Sequence, residues 1–144
     1  MSMVERRPTG IRDVHFGRNC TVYEPVNLYD CTIGDDCMIG PYTEIQSGVI
    51  IGDRCRIQSH AFICSITMIG DDCFISHGVM FTNDRFKGRE WEPTHIGNRV
   101  KIGTNATLLP VSICDDVVIG AGSVVTKDIT EPGVYAGNPA RWLP

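Results

Sequence analysis

The sequence predicts an all-β fold in which the chain winds as a solenoid of triangular coils, and three observations carry that prediction. Every sixth residue from 33 to 81 is large and apolar: Ile33, Ile39, Ile45, Ile51, Ile57, Ile63, Ile69, Ile75 and Phe81. Four residues after each isoleucine stands a small or β-branched residue, namely Cys37, Thr43, Val49, Cys55, Ala61, Thr67, Cys73 or Val79. A four-residue corner also recurs every eighteen residues, as Gly34-Asp35-Asp36-Cys37, Gly52-Asp53-Arg54-Cys55 and Gly70-Asp71-Asp72-Cys73. An α-helix with a period of 3.6 would smear these isoleucines around its whole surface. A chain that turns a corner about every six residues, with three short strands to a coil, instead points each of them at the coil centre.

At 144 residues the chain reads as one domain, 1–144, holding about six such coils and a loop. With 42% apolar and 21% charged residues it resembles ordinary globular proteins, and no apolar run approaches the roughly 18 residues that span a bilayer, so no membrane insertion is expected. Residues 1–8 carry Arg6 and Arg7 without an apolar core, which does not read as a signal peptide, and a cytoplasmic location is expected. A net charge of −4 gives no electrostatic case for nucleic acid. Seven cysteines without a C-x-x-C pair argue against a disulfide framework. Because Cys20, Cys37, Cys55 and Cys73 fill the small slot of successive corners, they read as a buried structural stack, with metal binding as the other reading.

Taken in order, residues 1–13 are polar and are expected to be irregular. The repeats begin at Phe16, Val22 and Leu28, with a first corner at Gly17-Arg18-Asn19-Cys20. Such an atypical end coil caps the core of a solenoid. The run from 33 to 81 supplies the middle coils, each buried isoleucine contributing roughly 1.5 to 3 kcal/mol. After Phe81 the next repeat residue is Ile96, so nine extra residues are inserted within 82–95. That loop carries Asn83, Asp84, Arg85, Lys87, Arg89, Glu90, Trp91 and Glu92, and repeat folds commonly use such insertions for binding. The rhythm resumes at Ile96, Ile102, Leu108, Ile113, Ile119 and Val125. Residues 130–144, punctuated by Pro132, Gly133, Gly137 and Pro139, are expected to form an irregular closing segment in which Trp142 and Leu143 cover the open end of the core.

Together these features resemble the hexapeptide-repeat acyltransferases, over about residues 16–141. The resemblance implies a left-handed parallel β-helix that assembles as a homotrimer with active sites between protomers. The segments Ile119-Gly-Ala-Gly-Ser-Val-Val-Thr-Lys-Asp and Ala136-Gly-Asn-Pro-Ala-Arg resemble the acetyl-CoA end of those enzymes. The strip His77-Gly-Val-Met-Phe-Thr-Asn-Asp84 resembles the branch that N-acetylates amino sugars carried on nucleoside diphosphates for surface polysaccharide. The resemblance thus implies acetyl-CoA as cosubstrate, with Gly103 and Ala121 as backbone donors to its pantetheine arm. Lys127, Asn138, Pro139, Ala140 and Arg141 are then expected at its far end, where the basic residues suit phosphates.

Amine acetylation needs a proton acceptor and an oriented acceptor nitrogen. Asn83 and Asp84 are the candidates for orienting the amine, and His77 is the candidate base, since histidine titrates near neutrality. Ser65 lies eighteen residues before Asn83, so the two are expected one above the other on adjacent coils. In the related amino-sugar enzymes an acidic residue is expected near that rung, and here Cys64-Ser65-Ile66 stands instead. The proton therefore falls to His77 or Asp84, or the amine arrives neutral. Trp91 is expected to anchor the loop on a neighbouring protomer. The other readings are O-acetylation of a sugar or another small acceptor, a zinc-dependent β-helix hydratase using His15, His60, His77 or His95, and a non-catalytic β-helix.

Overall fold

The computed structural model describes residues 2–88 and 90–144, so Arg89 of the inserted loop lies outside the described residues. Every regular element among them is a β-strand, most only two or three residues long, because the chain must turn a corner after each inward-pointing residue. The strands stack in parallel into a left-handed β-helix with three flat faces and about seven turns.

The first face stacks the start of strand Asn27–Ile33 with Glu44–Ile45, Phe62–Ile63, Met80–Phe81, Thr107–Leu108 and Val124–Val125. The second stacks the end of Asn27–Ile33 with Ile50–Ile51, Thr67–Ile69, Thr94–Ile96 and Ser112–Ile113, and a bridge joins Ile113 to Ile129. The third runs from Thr21–Val22 through Met38–Ile39, Arg56–Ile57, Phe74–Ile75, Lys101–Ile102 and Val117–Ile119 to Gly133–Gly137. Register is in phase throughout: Ile39 pairs with Ile57, Ile57 with Ile75, and Ile75 with Ile102. The core residues therefore form three vertical ladders, and Leu28, Ile45, Ile63, Ile39, Ile57, Ile75, Ile102 and Leu108 are fully buried.

Both ends are more regular than the composition suggests. Strand Ile11–Phe16 pairs in parallel with Asn27–Ile33 and wraps two faces as an extra rung, so the irregular start is shorter than 1–13. The closing segment is likewise a hairpin. Gly133–Gly137 continues the third face by pairing with Val117–Ile119, and Ala140–Leu143 returns antiparallel to it. These two additions bring the count from the expected six turns to about seven. Trp142 pairs with Tyr135 across the hairpin and stays largely exposed, so it flanks the end of the core instead of plugging it.

Stacking at this distance requires bare backbone at the corners. A Cβ on Gly52 would sit 2.8 Å from the Gly70 carbonyl group in the next coil, and one on Gly34 would sit 2.7 Å from Gly52. Of the cysteine stack, Cys37, Cys55 and Cys73 are buried as expected while Cys20 in the end coil is only partly buried, and the thiols donate hydrogen bonds. Cys37, Cys55 and Cys73 each place Sγ 3.1 Å from the carbonyl oxygen of Gly52, Gly70 and Gly97 respectively. All seven cysteines are free.

Candidate functional site

The inserted loop leaves the corner between the first and second faces after Phe81 and re-enters at Thr94. Nothing in its sequence is periodic, so its shape comes from specific contacts. Arg85 ion-pairs with Glu92 at 3.2 Å and donates to the Pro110 carbonyl, while the Glu92 amide donates to the Asn83 carbonyl at 3.0 Å. Asp84 Oδ1 accepts the Phe86 amide at 2.6 Å, an Asx turn that starts the loop. One of the two Asp84 carboxylate oxygens is thus already engaged in shaping the backbone.

Under the loop lies a cavity of about 380 Å³. Phe62, Phe86 and Trp91 give it aromatic walls, and Gln46 and Asn83 give it amide groups. Asn83 stands above Ser65 as the eighteen-residue period predicts, its side-chain amide donating to the Ser65 carbonyl at 3.3 Å. Beside that contact, Ile66 holds a left-handed φ of 62°, a costly conformation for a β-branched residue. Cys64 also lines the cavity, but burial pushes its thiol pKa up, partly offset by its contact with the Thr67 hydroxyl, so it is a poor nucleophile.

Gln46, Phe62 and Phe86 line this cavity, and sequence reasoning missed them. For Gln46 the signal was present, because Gln46, Cys64 and Thr82 lie eighteen residues apart and stack in one column on the cavity wall. Phe86 lies inside the aperiodic loop, where no such arithmetic applies.

The remaining candidates other than Lys127 sit on the edge between the third and first faces. His77 is exposed there, and its carbonyl accepts the Asn105 amide of the next coil at 2.9 Å. Gly103 and Ala121 follow on successive coils, and a Cβ on Gly103 would lie 2.5 Å from the Ala121 nitrogen. The Gly103 amide donates to the Ile119 carbonyl at 2.8 Å, so this residue shapes the edge and is not a donor to a ligand, contrary to expectation. Its neighbour Ala121 is exposed. The hairpin tip at Asn138 and Pro139 extends the same edge, tied down where the Gly137 amide donates to Ser123 Oγ at 3.2 Å. Ala140 begins the return strand, and Arg141 is exposed on it opposite Ala136.

The structure therefore gathers the candidates into two groups. His77, Gly103, Ala121, Asn138, Pro139, Ala140 and Arg141 share one edge. Asn83 and Asp84 share the other, with Lys127 exposed further along it, after Val124–Val125. His77 and Asn83 are six residues apart along a single face, roughly 15–20 Å of extended chain. Within one chain they do not meet. Among the described residues no group of three or more His, Cys, Asp or Glu side chains is placed to hold a metal ion. No helix among the described residues is long and apolar enough to cross a membrane.

Comparison with known proteins fits this geometry. Residues 30–65 match the bacterial transferase hexapeptide (six repeats), and residues 93–127 match the hexapeptide repeat of succinyl-transferase. Galactoside O-acetyltransferase of Escherichia coli (strain K12) is 32% identical over 135 residues, covering 90% of this chain and 52% of that protein. The bifunctional protein GlmU of Acaryochloris marina is 31% identical over 84% of this chain and 30% of its own length. The chain thus spans about half, or less, of the curated relatives it matches. Among solved structures, the acetyltransferase domain of PglB from Neisseria gonorrhoeae superposes with a TM-score of 0.70 at 25% identity, over 90% of this chain and 57% of that one. AntD, an N-acyltransferase from Bacillus cereus solved with dTDP and coenzyme A, shares the fold with a TM-score of 0.65 at 18% identity, over 94% of this chain and 83% of that one. Repeat period, fold and relatives agree: this chain carries the hexapeptide repeats of transferase families over residues 30–65 and 93–127 and folds as a left-handed parallel β-helix.

Proposed function

We propose that the protein is an acetyl-CoA-dependent acyltransferase that N-acetylates an amino sugar carried on a nucleoside diphosphate, as a step toward surface polysaccharide. The observation that carries this reading is the cavity under the loop. Aromatic walls from Phe62, Phe86 and Trp91 facing the amides of Gln46 and Asn83 suit a hydroxylated ring, which stacks by its apolar face and hydrogen-bonds by its rim. The relatives named as acetyltransferases and the solved neighbour holding dTDP and coenzyme A support it.

In this reading the thioester lies along the edge of Gly103 and Ala121. The exposed Ala121 corner approaches the pantetheine arm, and Arg141 beside the hairpin tip meets phosphate. The acceptor nitrogen attacks the thioester carbonyl, a C–N bond forms, the C–S bond breaks, and coenzyme A leaves as the thiolate. His77 takes the amine proton and passes it to that thiolate. Asn83 orients the amine, and the free oxygen of Asp84 accepts a hydrogen bond from the acceptor.

Because the two edges do not meet within one chain, the active site forms between protomers. A head-to-tail contact that places the His77 edge of one copy against the Asn83 edge of the next closes into a ring, here a homotrimer. Lys127, lying on the Asn83 edge, then reaches a cosubstrate held by the neighbour. Seven free cysteines support a reducing, cytoplasmic setting.

The E. coli galactoside O-acetyltransferase favours one second reading, O-acetylation of a sugar hydroxyl, which needs the same site. A thiol-release assay with acetyl-CoA against nucleotide-linked amino sugars and neutral glycosides separates the two. Turnover of the amino sugars, lost in His77→Ala and Asn83→Ala, is expected. No turnover and no acetyl-CoA binding would overturn the enzyme reading, and full activity in both variants would overturn the site.

A further inference from the structure

A line of hydrogen bonds crosses the first face and ends at the cavity. Arg12 Nη2 donates to Asn27 Oδ1 at 3.1 Å, and Asn27 Nδ2 donates to Glu44 Oε1 at 3.0 Å. The second oxygen, Glu44 Oε2, accepts Gln46 Nε2 at 2.9 Å. Gln46 Oε1 in turn accepts the Ser65 amide at 3.3 Å, and the carbonyl of Ser65 accepts Asn83 Nδ2. Five coils are thereby linked through one half-buried carboxylate.

This arrangement fixes the direction of both cavity amides. A carboxylate only accepts, so Gln46 must turn its nitrogen to Glu44, and the Ser65 amide only donates, so Gln46 must turn its oxygen to Ser65. One N–H of Gln46 is left uncommitted by these bonds. A carbonyl only accepts, so Asn83 turns its nitrogen toward Ser65 and keeps Oδ1 as an acceptor. Donor and acceptor then line the same wall.

We propose that Gln46 is a specificity-determining residue of the cavity, donating to a hydroxyl or amine of a hydroxylated ring, and that Glu44 is the positioning residue that fixes which end of its carboxamide faces the ligand. The acceptor ring as the ligand rests on the acyltransferase reading; the orientation of the amides does not. Glu44 stands one coil beyond the rung where an acid was expected from the related enzymes, and it acts through Gln46 and not on the proton.

The test measures binding of glucosamine and of methyl glucoside by NMR titration, with melting temperature alongside, for wild type, Gln46→Ala, Glu44→Gln and the exchanged pair E44Q/Q46E. Gln46→Ala is expected to weaken both rings by roughly 10-fold while melting like wild type. In turnover, Glu44→Gln is expected to raise the acceptor KM with kcat and the acetyl-CoA KM unchanged. The exchanged pair keeps an amide-to-carboxylate bond and should melt like wild type, but it puts the carboxylate in the cavity. Its preference for glucosamine over methyl glucoside should then rise by roughly 10-fold. An unchanged preference in the exchanged pair, unchanged binding in Gln46→Ala, or no binding of either ring by wild type would overturn the proposal. Ring binding without thiol release would instead overturn the acyltransferase reading and leave this one standing.

Discussion

The corner between the second and third faces and the corner between the first and second differ in what their side chains serve. At the former the same contact recurs up the helix. The Arg18, Asp35 and Asp53 amides donate at 2.8 Å to the carboxylates of Asp35, Asp53 and Asp71, the Asp71 amide to Asn98 at 2.8 Å, and the Asn98 amide to Asp115 at 2.7 Å. Thiols close the neighbouring glycine carbonyls, and Arg54–Asp72 and Arg99–Asp116 pairs run along the outside. Each polar group there binds the next coil. At the other corner the insertion interrupts the stack, and Gln46 and Asn83 keep hydrogen-bonding capacity facing a cavity. Groups that the stack does not use are the ones left for a ligand.

The largest effect that separates the two regions is expected in the ladder. Ile57→Asp puts a carboxylate at a fully buried position among Ile39 and Ile75, and should destabilise by more than about 4 kcal/mol. Circular dichroism melting checks this, and a variant melting within a few degrees of wild type would refute the inward ladder. At the interrupted corner Asn83→Ala should lower kcat/KM for the acceptor by roughly 100-fold with little change in melting. A comparable loss of stability would make Asn83 a structural residue.

The regular corner should also be the acid-sensitive one. The Arg18 amide and guanidinium hold Asp35 below the usual carboxylate range, and Arg54 and Arg99 do the same for Asp72 and Asp116. A lowered folded-state pKa adds stability that is fully present above the unfolded value near 4 and is lost as pH falls through the folded value. Melting temperature should therefore fall below about pH 4, and the fall should be shallower in Arg54→Gln and Arg99→Gln, whose Asp partners lose their cause of depression. Identical slopes in all three proteins would contradict the assignment. The smallest effect is expected from Trp91→Ala, which should raise the acceptor KM by about three- to ten-fold and leave stability unchanged, since Trp91 is largely exposed.

The ladders were legible in the sequence because a period of six imposes one buried residue per strand, and the pairing of Asn83 with Ser65 followed from the period of eighteen. The end rungs were not, since Ile11–Phe16 and the closing hairpin hold their places by pairing with a neighbouring strand, a contact that leaves little mark on residue type. The misread role of Gly103 has the same origin, because the partner of its amide is fixed by the coil that follows. Loop shape was beyond reach for another reason. It depends on the Arg85 contacts with Glu92 and Pro110, which no periodicity encodes.

The division of the site between two edges is the central claim, and complementation tests it most directly. His77→Ala and Asn83→Ala, each inactive alone, are co-expressed and the mixed protein assayed for thiol release. If each site takes His77 from one protomer and Asn83 from the next, random mixing in a closed ring restores about one quarter of wild-type activity. Activity no greater than that of the two parent variants would place both residues in one chain's site and contradict the account.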